Sequence, residues 1–334
     1  MMTCRTILAA TLATCLCAEV AAGAEQGKRA QAPAAAAILA SAGGAVSVER
    51  KGAAPEPAAI GMRLQSGDVV VTGPAGSATI YFPGGSLRKL SGSARLEIKG
   101  EPSARAASPD ARLSSDTMAV LEKGLWILND PEGSILISAM RGDDPGWSAE
   151  EAETATPLSP RFETTAQARP MFRWSGGAKA RVVVGGVADS VWKSPPGEPP
   201  PIIYPDSAPA LDPNAKYWWR LEHPTTATAM SEKVPFRVPS QDLLARIGKF
   251  EAEIAALVNE DAVAADLMRS GFYLRTGSWT PMLAAAGRLR LVQARAEVAA
   301  RAFEGACRQM RLTPDAAERL LDQLAATPAS STSR

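Results

Sequence analysis

The chain has 334 residues, 36 Lys and Arg against 35 Asp and Glu, and a single histidine, giving a formal net charge of +1. Near-neutrality without a run of Lys and Arg argues against a dedicated nucleic-acid binder, which would carry a basic patch. With 46% hydrophobic residues, 26 prolines and 27 glycines, the composition fits packed cores joined by many connections and two or three domains at roughly 100 to 200 residues each.

The N-terminus reads as an export signal. Arg5 precedes an apolar run from Ile7 to Ala18, and the small residues Ala22, Gly23 and Ala24 come before Glu25. This predicts a cleaved secretory segment over 1–24, too short to span a bilayer, and a periplasmic or secreted product with no transmembrane helix in the mature chain. Leu12-Ala13-Thr14-Cys15 approaches the box that precedes a lipidated cysteine, but Thr14 is a poor residue before the cysteine, so lipoprotein anchoring is the weaker reading. Cys4, Cys15 and Cys17 fall in this segment and leave Cys307 alone in the mature chain, which excludes an internal disulfide. Residues 25–40 are Ala-rich and read as a linker.

From Ala45 to Ile137 the pattern is that of short strands with period-two alternation. Ala78, Ile80 and Phe82 are expected to face a core with Thr79 and Tyr81 outside, and Leu96 and Ile98 alternate with Arg95, Glu97 and Lys99. Gly67-Asp68, Thr72-Gly73-Pro74 and Pro83-Gly84-Gly85 mark turns. The succession Gly61, Leu64, Gly67-Asp68, Val69-Val70-Val71 and Thr72-Gly73, followed by Ser77 to Phe82, Gly85-Ser86, Leu90, Ser93, Leu96 and Ile98, resembles the FecR domain. Lys123-Gly124-Leu125-Trp126 resembles that family's late glycine-led strand. Gly84-Gly85-Ser86 departs from the family's Asp-Gly-Ser, a change that keeps the turn. The resemblance implies a FecR-like β-sandwich or roll over 41–142.

Residues 143–165 are rich in Asp, Glu, Pro, Ser and Thr and read as a solvated acidic linker. Over 166–240 the aromatic-rich segments Met171 to Trp174, Arg181 to Val184, Val191-Trp192, Ile202 to Tyr204, Tyr217 to Leu221 and Val234 to Val238 predict an immunoglobulin- or fibronectin-like sandwich. Pro170 to Trp174, Leu211, Pro213, Tyr217 and Trp219 resemble the sandwich domains that accompany FecR domains. Trp192, Trp218 and Trp219 are the candidate binding residues, because aromatic faces stack on sugars. Trp218 and Trp219 must point to opposite faces of their strand.

Beyond Pro239 the period becomes helical, with Leu243, Ile247, Phe250, Ile254 and Leu257 on one stripe. Leu267 to Trp279 resembles one tetratricopeptide hairpin, with Gly277 as the turn and Trp279 as a packing aromatic. Leu289, Val292, Ala296, Ala299, Phe303, Cys307 and Met310 recur at helical spacing, making Cys307 a core thiol. Thr313-Pro314-Asp315 reads as a helix start, with the helical domain running over 241–326 and a disordered tail over 327–334.

His223 stands without metal-ligand neighbours apart from adjacent Glu222, and there is no phosphate-binding glycine loop. The expectation is therefore a multidomain, mainly β protein with an α-helical hairpin domain at its end. It has no catalytic residues, cofactor or metal, and serves as a non-enzymatic scaffold of the bacterial envelope whose partners are other envelope proteins. A peptidoglycan or glycan binder is one alternative. A FecR-type signalling regulator without its sigma-regulating N-terminal domain is another.

Overall fold

A computed structural model describes residues 36–99, 113–129, 155–176, 179–187, 189–258, 261–292 and 297–326. The export segment, residues 25–35 of the first linker, the acidic run 143–154 and the tail 327–334 lie outside the described residues. The described residues belong to one compact unit.

Among the described residues the first part contains eight short strands: β1 (Ala37–Gly43), β2 (Val46–Glu49), β3 (Glu56–Pro57), β4 (Arg63–Leu64), β5 (Val69–Thr72), β6 (Ser77–Phe82), β7 (Ser86–Ser91) and β8 (Arg95–Glu97). They form two antiparallel sheets, ordered β4-β1-β6-β7 and β3-β2-β5-β8. Leu39, Val48, Leu64, Val70, Ala78, Ile80, Phe82 and Ile98 share one core, as alternation predicts for Ala78, Ile80 and Phe82. Gly67, Gly84 and Gly85 adopt positive φ at the turns, a conformation that glycine tolerates at little cost.

The outer face of the β1/β6 pair is not solvated. Tyr81, expected outside, is buried in a second core together with Ala40 of β1, and the Thr79 hydroxyl, also buried, donates to Asp261. The cover is helical. Lys123-Gly124-Leu125-Trp126, expected as a strand, lies within helix α1 (Ser115–Asn129). Leu121, Leu125 and Leu128 repeat at steps of four and three and are all buried, a helical stripe whose period the glycine-led motif masks.

The second part is a sandwich of β9 (Thr156–Ser159), β10 (Glu163–Thr164), β11 (Met171–Ser175), β12 (Arg181–Gly185), β13 (Ser190–Lys193), β14 (Ile202–Ile203), β15 (Lys216–Glu222) and β16 (Val234–Arg237). Its sheets run β10-β16-β15-β12-β13 and β14-β11-β9, with β10 parallel to β16 and the other pairs antiparallel. Phe172, Trp174, Val182, Val184, Trp219, Leu221 and Phe236 fill the space between. The six aromatic-rich segments each contribute a strand. Strands β9 and β10 correct the linker reading of 155–165, where Leu158, Arg161, Glu163 and Thr165 are buried.

Five helices follow: α2 (Gln241–Leu257), α3 (Ala262–Thr276), α4 (Trp279–Val292), α5 (Glu297–Met310) and α6 (Pro314–Ala326). Ser240, Asp261 and Thr313 cap α2, α3 and α6 through side chains that accept from Leu243 N, Ala264 N and Ala316 N. Gly277 closes α3 in the left-handed region at φ 69°, the turn role expected of it. Phe250 and Phe272 stack with centroids 3.9 Å apart. Cys307 is buried as expected, and burial first of all raises its thiol to about 11. The stripe assigned to one helix spans two, however, and Val292, at the end of α4, is exposed. Among the described residues helices hold more residues than strands, so "mainly β" understates the helical share.

Helix α1 joins this bundle rather than the sheets alone. A Cβ on Gly124 would lie 1.8 Å from the Gly271 carbonyl oxygen, so α1 and α3 cross backbone to backbone at this point. Leu121, Leu125, Phe250, Met268, Phe272, Met282 and Ala302 lie in one core with Ala40 and Tyr81. Burial at this density is the main stabilising term.

Candidate functional site

A cleft of about 320 Å³ opens between the second sandwich and helices α2, α3, α4 and α6. The β9–β10 corner gives it Ser159, Pro160 and Glu163, and β11 gives Met171 and Arg173. Helix α2 adds Glu251, α3 adds Arg269 and Tyr273, α4 adds Thr280, Pro281, Ala284 and Arg288, and α6 adds Leu324.

Glu163 is one of the buried groups of this lining. One carboxylate oxygen accepts from Thr280 N at 2.8 Å, and the other from the Thr280 hydroxyl at 2.5 Å and Arg161 N at 3.3 Å. Thr280 stands in the first turn of α4, so Glu163 caps that helix from a distant strand and sits at its positive end. Burial nevertheless pushes the carboxyl up to about 7, against the hydrogen bonds from Thr280, Arg161 and Ser159 that favour the charged form. Arg173, also buried, is lowered by the same loss of water, and Glu163 opposes that shift.

The far wall is an ion network. Arg269 grips Glu251 through Nε at 3.0 Å and Nη2 at 2.9 Å, and Tyr273 donates to the same carboxylate at 2.8 Å. Burial, then Glu251, pushes the Tyr273 hydroxyl upward, so it remains a donor. Arg288 holds the buried Asp266 with Nε at 2.9 Å and Nη2 at 2.7 Å, the two-pronged geometry that fixes a guanidinium plane. The side chain of Arg288 remains 53% exposed. Prolines 160, 170 and 281, with Met171, Ala284 and Leu324, supply apolar walls. Such a mixture of apolar lining and a few fixed polar groups is what small-ligand sites have in common.

The sequence-derived candidates do not line this cleft, and only Trp192 and Trp219 come together, on Phe172. Trp219 is fully buried and donates to the Pro160 carbonyl at 2.6 Å. Trp192 opposes Val184 across the β12/β13 pair, as Trp219 does across β12/β15, so both lie on the inner face. Trp192 packs against Phe172 and Tyr204 there. Trp218 is on the outer face, its ring laid over Gly185, its Nε1 donating to the Gly186 carbonyl at 2.7 Å, and Lys233 Nζ 4.1 Å from its centroid. The ring therefore already has a cation and a backbone against it. His223 is exposed, its Nδ1 engaged by Thr225 within a turn.

The cleft residues escaped the sequence reading because their polarity suggested solvent. Glu163 and Thr165 of the cleft, with Arg161 before them, are buried at every second position as in a strand; only that period-two spacing beside Pro160 gave a signal. Among the described residues no cluster of three or more His, Cys, Asp or Glu could hold a metal ion, and no helix is long and apolar enough to cross a membrane. Comparison with family models, with curated proteins and with solved structures finds no match to this chain.

Proposed function

We propose that this protein is a non-enzymatic scaffold of the bacterial envelope, carried across the inner membrane by its N-terminal segment and built on a FecR-like β-module. The observation that carries the reading is the shared core in which α1 and strands β1 and β6 of the first module pack against the terminal helices. A β-sandwich fused in this way to a helical bundle is a rigid body, and rigid bodies hold partner surfaces at fixed separations with little ordering cost on binding.

The test is affinity isolation of the tagged protein after mild cross-linking in intact cells, followed by rebinding of each recovered component to purified protein. Saturable rebinding of a defined envelope protein is the expected result. Recovery of sacculus fragments alone replaces this reading with peptidoglycan binding, and a cytoplasmic location of the tag overturns it.

A further inference from the structure

We propose that the cleft between the second sandwich and helices α2, α3, α4 and α6 is a binding site for a small, uncharged and mainly apolar organic molecule, held by burial of its carbon skeleton rather than by ion pairing. This goes beyond the scaffold reading and does not depend on it.

Three observations carry it. The first is that the charged groups of the lining already have partners within the protein. Arg269 pairs with Glu251 at 2.9 Å, and Arg288 with Asp266 at 2.7 Å. Glu163 accepts from Thr280 N and from the Thr280 hydroxyl. Arg173 feels the charge of Glu163 and has a further interaction besides. A charged ligand would therefore enter with no counter-charge waiting for it, or would have to take one from an existing pair. An ion removed from water without a partner is strongly disfavoured, whereas a neutral molecule carries no such cost.

The second is that the hydroxyl groups of the lining are spent in the same way. Tyr273 donates to Glu251 at 2.8 Å and Thr165 to the Gln167 carbonyl at 2.7 Å. The Ser159 and Thr280 hydroxyls lie 2.7 Å apart, and Thr280 donates to Glu163. A hydroxyl has one proton to give, so these side chains add no free donor for a ligand rich in acceptors. Recognition falls instead on the apolar surface.

The third is what that surface is and where it lies. Pro160, Pro170 and Pro281 have no backbone N–H that a carbon skeleton would leave unsatisfied, and Met171, Ala284 and Leu324 extend the apolar lining. A volume of about 320 Å³ is at the small end of ligand cavities. The cleft also sits where a sandwich meets a helical bundle, a junction of the kind at which small-molecule sites recur.

The experiment is calorimetric titration of the purified full-length protein with 1-hexanol, with hexanoate and hexylamine as its anionic and cationic counterparts. Hexanol is expected to bind saturably, and each charged counterpart at least about 10-fold more weakly. Shortening the alcohol to 1-pentanol is expected to weaken binding about 4-fold, the worth of one buried methylene. Ala284→Phe fills the cleft from a half-buried position of α4 without removing a charged side chain, and is expected to weaken hexanol by about 10-fold or more. Leu324→Ala removes apolar wall instead of adding bulk, and is expected to weaken hexanol by about 4-fold or more; it localises the site even if the larger side chain prevents folding. Three results would overturn the proposal: no binding of hexanol up to about 10 mM, a charged counterpart binding within about 10-fold of hexanol, or hexanol binding that neither variant weakens.

Discussion

Glu163 accepts a hydrogen bond from Thr280, 117 residues further along the chain, and the cost of keeping it charged there is visible in its raised carboxyl. A carboxyl at about 7 in the folded protein against an ordinary 4.5 means that between these values the folded state holds more protons than the unfolded state. Stability is therefore greatest below about pH 4.5 as far as this group is concerned, and declines as the pH rises through 7. The full swing is on the order of 3 kcal/mol. Glu163→Gln, which keeps one carbonyl oxygen for Thr280 N but cannot ionise, is expected to flatten the melting temperature between pH 5 and 8 (roughly the interval between the two protonation midpoints). Thermal melts across that range, for parent and variant, measure the difference. A parallel pH profile in both proteins would assign the dependence to another group.

Helices α1 and α3 meet through two glycines, and the two are not equivalent. Helix propensity alone makes Gly124→Ala stabilising by about 1 kcal/mol. The added methyl, however, would have to occupy the Gly271 carbonyl, 1.8 Å away, so the helices must separate and the variant is expected to lose about 3 kcal/mol. At Gly271 the added atom would meet a Leu125 methyl and the Leu125 backbone nitrogen, each at 3.1 Å, a far smaller overlap than at Gly124. The loss there is expected to be nearer 1 kcal/mol. Urea denaturation of the two variants gives both numbers, and a gain at Gly124 would mean that the crossing is looser than described. This is also where the sequence was least legible. The strands of the second sandwich could be read from alternating aromatic and aliphatic residues, and the helix ends from Ser240, Thr313 and Gly277, because those signals are local. The helix over Lys123 to Trp126 has a local signal in the stripe Leu121, Leu125 and Leu128, but its close crossing with Gly271, nearly 150 residues away, is in no window of neighbours.

At the scale of the whole molecule, boundaries drawn from composition do not coincide with the boundaries of packing. Tyr81 and Ala40 look outward from one core and inward to another, and the 155–165 segment, polar enough to read as linker, carries Glu163 and Arg161 to the centre of the cleft and the α5 terminus, where Arg161 Nε donates to the Met310 carbonyl at 2.6 Å. The cleft was illegible for the same reason: its lining comes from seven elements, each unremarkable in its own stretch of sequence. A chain ended after Pro239 tests the consequence. Independent modules would leave both sandwiches folded and soluble. With the helices supplying the cover for β1, β6 and α1, the shortened chain is instead expected to bind a hydrophobic dye and to lose its cooperative melt, both readable by fluorescence and circular dichroism.

Asp261 accepts from the hydroxyls of Ser41 and Thr79 as well as from Ala264 N at the start of α3. One carboxylate thus joins the first strand to a helix 220 positions later. During synthesis at roughly 5 to 20 residues per second, the opening sheet waits for more than ten seconds (about 220 residues at the faster rate) before the group that completes its outer face exists. The outer face of the opening sheet is thus covered only when the last third of the chain arrives, and until then the earliest strands depend on whatever keeps a nascent sheet from pairing with a stranger.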